Sequence, residues 1–267
     1  MRQNKIETVF KIACRSGEIL LKHYNSSAAD QIWHKKNNEA VSSADFAADK
    51  FIIKELQKNF PGDKILTEES GDVGPAAGVG GASAKSERVW IIDPLDGTNN
   101  FLHKNPIFGV NIALVERGKI IFGVTYLPIP RQLFWAIVGR GAWLNGKRIH
   151  VSRTEKLKDS LVNACYGHDP KFKRRDYEVA REVDKRSRFT RRPGAAAFEL
   201  ATVAMGGSDA SYILGTRPWD AAAGALLVTE AGGMATNLRG ESWKLSDENI
   251  VVSNGKVHKE LLKIINR

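Results

Sequence analysis

Two aspartates, Asp93 and Asp96, stand three residues apart in WIIDPLDGTNNF, residues 90–101. Carboxylates this close repel one another unless a cation neutralises them. Pro-x-Asp-Gly is also a turn signal, and turns that follow an apolar strand often carry functional side chains. Pro94 keeps Asp93 out of helical geometry, and Gly97 permits a tight reversal. Both carboxylates and the Leu95 carbonyl between them can then face one point. These are hard oxygen ligands, the preference of Mg²⁺. Gly97 and Thr98 open the next segment. If that segment is helical, its first N–H groups form an anion site suited to phosphate. One short turn thus holds a candidate cation site beside a candidate anion site.

Other acids can join it. Glu68 and Glu69 in TEES end a short apolar run. Neighbours on a strand face opposite sides, so only one readily reaches the aspartates. Asp220 opens PWDAAAGALLVTEAGG. An acid there suits a helix N-terminus, with Pro218 marking the start. A helix of such small residues packs closely, however, and a buried Asp needs a partner. Asp45, three residues after Ser42, reads as part of a capping box. It is equally placed to hold the Thr98 hydroxyl or a further metal. Lys35 and Lys36 read as solvated, or as cations that neutralise an ester phosphate. The six histidines show no metal-ligand spacing. No Walker or Rossmann glycine motif is present, which argues against ATP or NAD.

The elements that must position these residues alternate in type. Residues 4–24 and the segment SSADFAADKFIIKELQKNFPGD have helical spacing, the second ending at Pro61-Gly62. KILTEES reads as a short strand running into a loop. Gly71 to Glu87 holds five glycines and almost no large side chain, and predicts a mobile flap. VWIID, IFGVNIALVE, KIIFGVTYLP and QLFWAIV follow as strands, with Arg117-Gly118 as a hairpin turn. SLVNACY, SDASYILG and NIVVSN predict later strands. A basic helix, two small-residue helices and KVHKELLKIIN predict the helices among them. The order implies helices flanking two sheets. A boundary near residue 152 divides the chain into halves 1–152 and 153–267.

The chain has 267 residues, 42% apolar and 26% charged, the composition of an ordinary soluble protein. No apolar run is long enough for a transmembrane helix, and the charged N-terminus does not read as a signal peptide. Cys14 and Cys165 read as reduced thiols, which points to the cytoplasm. The net charge is +10, and residues 171–192 supply ten Lys/Arg against four Asp/Glu. Such a run is a solvated helix, a rim that steers an anionic substrate, or a patch for RNA or another acidic partner.

TEES, WIIDPLDGTNNF and PWDAAAGALLVTEAGG, in this order, resemble the inositol monophosphatase family. AVSSAD and NIVVSN extend the likeness over nearly the whole chain. Within the lithium-sensitive phosphatases, DPLDGTNNF looks closest to the inositol monophosphatase branch, including its bacterial extragenic-suppressor type. The resemblance implies a five-layer αβαβα fold of the inositol monophosphatase and fructose-1,6-bisphosphatase type, and a homodimer. It implies hydrolysis of a phosphate monoester with about two or three Mg²⁺ ions at the site. Carried over by position, Glu68, Asp93, Asp96, Asp220 and the Leu95 carbonyl bind metal. Glu68 and Thr98 position the attacking water, and Asp45 orients Thr98. Asp96, Gly97, Thr98, Ala196 and Asp220 meet the substrate.

Two positions depart from the family pattern. Ile213 stands where a polyol-contacting Glu is usual, and such a lost contact costs about 0.5–1.5 kcal/mol. Ala195 stands where many relatives have Ser or Thr. The expected substrate is inositol 1-phosphate. Fructose 1,6-bisphosphate, histidinol phosphate and a 3′-phosphonucleotide are alternatives. Contact with RNA or the transcription machinery through 171–192, with hydrolysis secondary, is a reading of a different kind.

Overall fold

Helix α1 (Gln3–Tyr24) buries Ile6, Val9, Ile12, Ala13 and Leu20 along one stripe, the face that helical spacing predicts. The computed structural model describes residues 3–26, 32–34, 40–74, 87–167 and 170–267. A small hairpin of β1 (Ile32–His34) and β2 (Ala40–Ser42), unforeseen in the sequence, leads into α2 (Ser43–Asn59). Ser42 caps α2 as its spacing to Asp45 predicts. The Ala44 N–H donates to Ser42 Oγ at 3.2 Å, and the Ser42 N–H donates to Asp45 Oδ2 at 2.8 Å.

The first sheet has eight strands. They are β3 (Lys64–Thr67), β4 (Gly71–Val73), β5 (Arg88–Asp96), β6 (Gly109–Glu116), β7 (Lys119–Leu127), β8 (Gln132–Ile137), β9 (Ala142–Leu144) and β10 (Lys147–Ile149). Their order is β10-β9-β8-β7-β6-β5-β3-β4. Among the described residues, only β3 and β5 of this sheet run parallel and the other pairs are antiparallel. A short helix α3 (Thr98–Leu102) follows β5. The β6–β7 turn has positive φ at Arg117 and Gly118, the geometry that suits a tight hairpin. Gly71–Val73, the expected start of a flap, is instead β4. Gly71, at φ 69°, reverses the chain and pairs with Thr67. Residues 75–86 of the expected flap lie outside the described residues, as do Lys35 and Lys36.

The second sheet is built from the later residues. Its strands are β11 (Leu161–Tyr166), β12 (Phe189–Arg191), β13 (Ala210–Leu214), β14 (Met234–Thr236) and β15 (Asn249–Ser253), in the order β12-β11-β13-β15-β14. Helices α4 (Lys173–Asp184), α5 (Ala196–Ala204), α6 (Pro218–Glu230) and α7 (His258–Ile265) alternate with them. The three-residue strands β12 and β14 sit at the two edges, and neither was anticipated.

Five layers result, as the resemblance implies. Helices α1 and α2 cover one face of the first sheet around Ile52, Trp90, Phe101 and Phe122. Helices α5 and α6 fill the space between the two sheets, and α4 and α7 close the far side over Val179, Tyr212 and Leu261. The small residues of α6 follow from this central place. A Cβ on Gly224 would lie 2.5 Å from Leu200 Cβ, and one on Gly123 would lie 3.0 Å from Ala223 Cα. Larger side chains would push the layers apart. No helix among the described residues is long and apolar enough to cross a membrane.

Candidate active site

The DPLD turn is a β-bulge at the end of β5. Asp93 pairs with Asn111 and Asp96 with Gly109, so three steps on β5 oppose two on β6. In a straight strand, residues three apart face opposite sides. The extra residue shifts the alternation by one and allows both acids onto one face. The strand therefore runs to Asp96, beyond the end at Asp93 that the sequence predicts. Pro94, which has no N–H to offer a ladder, sits within the bulge. The Leu95 N–H turns back to Asp93 Oδ1 at 3.1 Å. Asp93, Leu95 and Asp96 are all buried.

Gly97 must be glycine twice over. Its φ is 83°, and a Cβ would lie 2.9 Å from both Ala195 Cβ and the Ile107 carbonyl oxygen. The reversal sends Thr98 into α3, with the Phe101 N–H donating to the Gly97 carbonyl at 3.0 Å. Thr98 Oγ1 lies 3.2 Å from Asp45 Oδ1 and 3.0 Å from the Leu95 carbonyl oxygen. Both are acceptors, so the one hydroxyl proton goes to Asp45 or to Leu95 and the oxygen keeps lone pairs for another donor. Asp45 Oδ2 accepts from the Ser42 hydroxyl at 2.6 Å as well as from its N–H. Asp45 therefore both caps α2 and holds Thr98. Burial pushes its carboxyl above the usual range, while the Ser42 and Thr98 hydrogen bonds pull it back.

Glu68 arrives from β3. Its N–H donates to the Ile92 carbonyl at 3.1 Å, which sets it beside Asp93. The loop after it is tied by the Ser70 N–H to Thr67 Oγ1 at 2.9 Å, and by the Ser70 hydroxyl to Asp49 of α2. Asp220 enters from the first turn of α6, where its Oδ2 accepts the Arg217 N–H at 2.8 Å. Asp96 reaches across to the other half of the chain. Its Oδ1 accepts the Ala196 N–H at 3.1 Å and its Oδ2 the Ala197 N–H at 2.8 Å. Asp96 thus caps α5, and the Ala196 N–H is directed at Asp96.

Asp96 and Asp220 share a neighbourhood around Cys165. Burial pushes the Cys165 thiol well up, and Glu199, Asp96 and Asp220 push it further. In this arrangement no three His, Cys, Asp or Glu side chains among the described residues close on a single point. Backbone N–H groups hold the Asp93, Asp96 and Asp220 side chains. The donor chemistry still fits Mg²⁺. Every candidate donor is a carboxylate or carbonyl oxygen, and Mg²⁺ keeps several waters, so one or two protein ligands per ion suffice.

Two residues of the site were missed in the sequence. Asn100 Nδ2 donates to the Ile107 carbonyl at 2.9 Å and the Pro193 carbonyl at 2.7 Å, fastening α3 to the loop before α5. Glu199 is completely buried in α5. It accepts the Gly194 N–H at 3.2 Å and the Ser211 hydroxyl at 3.1 Å. Burial raises its carboxyl to about 8, with those hydrogen bonds opposing and Asp96 adding to the rise. A lone acid in the otherwise apolar GAAAFELATVAMGG was the available signal. Ile213 lies on β13 between Cys165 of β11 and Ile250 of β15, and is 1% exposed.

The basic run 171–192 divides into α4, β12 and their flanks. Val179 and Val183 bury one face of α4, and Glu178 and Glu182 pair with Arg174, Lys185 and Arg186. Arg192 bonds the buried Asp176 at 2.8 Å. Tyr177 and Phe189 are about half exposed, with Arg192 over the first ring and Arg188 and Arg191 over the second.

The five layers, with an acidic site where α2, β5 and α6 meet, define an αβαβα protein of the phosphatase type. The chain belongs to the inositol monophosphatase family, whose model matches residues 1–267. It is 35% identical over 253 residues to Nus factor SuhB of Escherichia coli, covering 94% of this chain and 92% of that protein. It is 33% identical over 264 residues to a fructose-1,6-bisphosphatase/inositol-1-monophosphatase of Thermotoga maritima, covering 98% and 96%. The crystal structure of extragenic suppressor protein suhB from Bartonella henselae superposes with a TM-score of 0.92 at 34% identity, covering 99% of each chain.

Proposed function

We propose that the chain is a Mg²⁺-dependent phosphomonoesterase acting on a small sugar or polyol phosphate, with inositol 1-phosphate first among the candidates. The observation that carries this reading is the Thr98 hydroxyl. It is aimed at Asp45 and the Leu95 carbonyl, on the turn that also bears Asp93, Asp96 and Gly97. In this proposal Glu68, Asp93, Asp96, Asp220 and the Leu95 carbonyl hold about two or three Mg²⁺ ions. Bound there, Mg²⁺ supplies the positive charge that offsets the phosphate and makes water more acidic.

The chain's own groups do the rest. The N–H groups of Gly97 and Thr98 take the phosphate oxygens. Thr98, its proton committed to Asp45 or Leu95, accepts a hydrogen bond from the attacking water. Glu68 takes the proton that this water loses, the water oxygen attacks phosphorus in line, and the ester P–O bond breaks as the leaving oxygen takes a proton from solvent water to depart as the alcohol. Asp96 and Asp220 border the alcohol alongside Ala196. The halves 1–152 and 153–267 act as one unit, as a homodimer in the cytoplasm.

Ile213 packs in the apolar layer, so the hydroxyl contact that a Glu would make there is missing. Phosphate release would be measured on inositol 1-phosphate, fructose 1,6-bisphosphate, histidinol phosphate and 3′-phosphoadenosine 5′-phosphate, with and without Mg²⁺ and Li⁺. The expected result is Mg²⁺-dependent, Li⁺-inhibited release, greatest on inositol 1-phosphate. No release from any of them with Mg²⁺ would refute the reading.

A second reading rests on Tyr177 and Phe189, exposed aromatics under arginine. Such pairs stack nucleobases, and a relative carries the name Nus factor. A gel shift with RNA at low salt, repeated with residues 171–192 charge-reversed, tests it. Absence of binding by the native chain would end it.

A further inference from the structure

A cavity of about 730 Å³ lies at the opposite end of α6 from Asp220. It is walled by the β6–β7 turn, the C-terminal half of α6, β14 and residues 240–245. Asp220 and Glu230 are ten residues apart on α6, so roughly 15 Å of helix separates the two places. The cavity is therefore distinct from the acidic site, and its volume is in the range that takes a small molecule.

Its lining is mostly apolar, with Ile120, Leu226, Met234 and Trp243 among the walls. Lys119 and Lys244 stand exposed at the rim, and neither pairs with a carboxylate among the described residues. Trp243 is 8% exposed and forms part of the apolar wall. The acid in the lining, Glu230, is already engaged. Its two oxygens accept the N–H groups of Gly139 and Gly141, each at 2.7 Å. Arg117 at the mouth pairs with Glu87. An apolar wall with lysines at its rim complements one ligand chemistry. A cation would be repelled by the rim lysines, and a neutral hydrocarbon would gain nothing from them.

We propose that this cavity binds a small amphipathic anion, with an aryl or short alkyl body against Ile120, Leu226 and Trp243 and its anionic head at Lys119 and Lys244. The site is non-catalytic. It makes no use of the acids around Thr98, so it stands or falls apart from the phosphatase reading.

The probe is 8-anilinonaphthalene-1-sulfonate, titrated into the full chain with near-ultraviolet circular dichroism as the check on folding. The expected result is saturable binding of one probe per chain, weakened by salt. Octanoate should displace it, and octanol should not. The double variant Lys119→Glu/Lys244→Glu should weaken binding about tenfold or more. Met234→Trp, at a residue 41% exposed, should narrow the cavity and weaken binding without altering charge. Neither variant touches the acidic site, so both should keep the basal phosphate release. Equal competition by octanol and octanoate would overturn the proposal. So would unchanged affinity in the folded charge variant. If the charge variant does not fold, unchanged affinity in Met234→Trp decides against it.

Discussion

Asp96→Asn separates two duties that one carboxylate performs. The native side chain takes the Ala196 N–H at 3.1 Å and the Ala197 N–H at 2.8 Å. Asparagine keeps one acceptor and turns its NH₂ toward the other N–H. One hydrogen bond to a charged group is lost, worth about 1.5–3 kcal/mol. The favourable interaction with the N-terminus of α5 goes too, at about 0.3–1 kcal/mol. Removing a negative charge from beside Asp93 and Asp220 gives part of this back. The net loss is about 2 kcal/mol, and a chain of this size then melts roughly 4–8 °C lower. Activity should fall by about 10²–10³-fold or more, the scale for losing one electrostatic contact to a transition state. Melting curves in EDTA read the capping duty, and curves in Mg²⁺ read the metal duty. Mg²⁺ should raise the native Tm more than that of the variant, so the gap widens when metal is added. Equal melting in EDTA would refute the capping argument. Full Mg²⁺-dependent turnover by the variant would refute the site.

Three further outcomes follow from the same geometry. Thr98→Ala should lower kcat by about a hundredfold while Thr98→Ser keeps most of it, because only the hydroxyl is used; equal activity of the two variants would count against the assigned role. Gly97→Ala forces a side chain onto φ 83° and a Cβ to 2.9 Å from Ala195 and Ile107. It should cost about 1–3 kcal/mol and move Thr98, so denaturant melts and phosphate release should both fall. Glu199→Gln should flatten the pH dependence of stability. The folded state holds the Glu199 proton up to about 8, whereas the ordinary value is 4.5. That contribution is complete below the ordinary value and is lost as pH rises through about 8. Urea melts near about pH 5 and about pH 8 should show a larger loss in the native chain than in the variant; equal losses would exclude the effect.

Much of the site was legible because its signals are local. The Ser42–Asp45 box lies within four residues, and a capping box is a rule about neighbours. Asp93, Pro94, Asp96 and Gly97 announced a tight acidic turn, and the Arg117-Gly118 hairpin was readable in the same way. Asn100 and Glu199 were passed over because their partners are distant: Asn100 meets Pro193, and Glu199 meets Gly194 through a fold-back and Ser211 on another element. The edge strands β12 and β14 are three residues long, too short to show an alternation. The expected flap began as β4 because pairing with β3 outweighed the weak strand preference of Gly71–Val73.

The sequence by itself determined the kinds of donor, the turn that carries two of them and the longer helices and strands. Hydrogen-bonding capacity and periodicity belong to residues and their near neighbours. Only the tertiary structure decided that Asp96 caps α5 and that the Asp93, Asp96 and Asp220 side chains rest on backbone N–H groups. It also decided that Ile213 is enclosed in the apolar layer between the sheets. Those outcomes depend on which faces the five layers press together, and burial is a property of the packed layers, unreadable in any one stretch of chain.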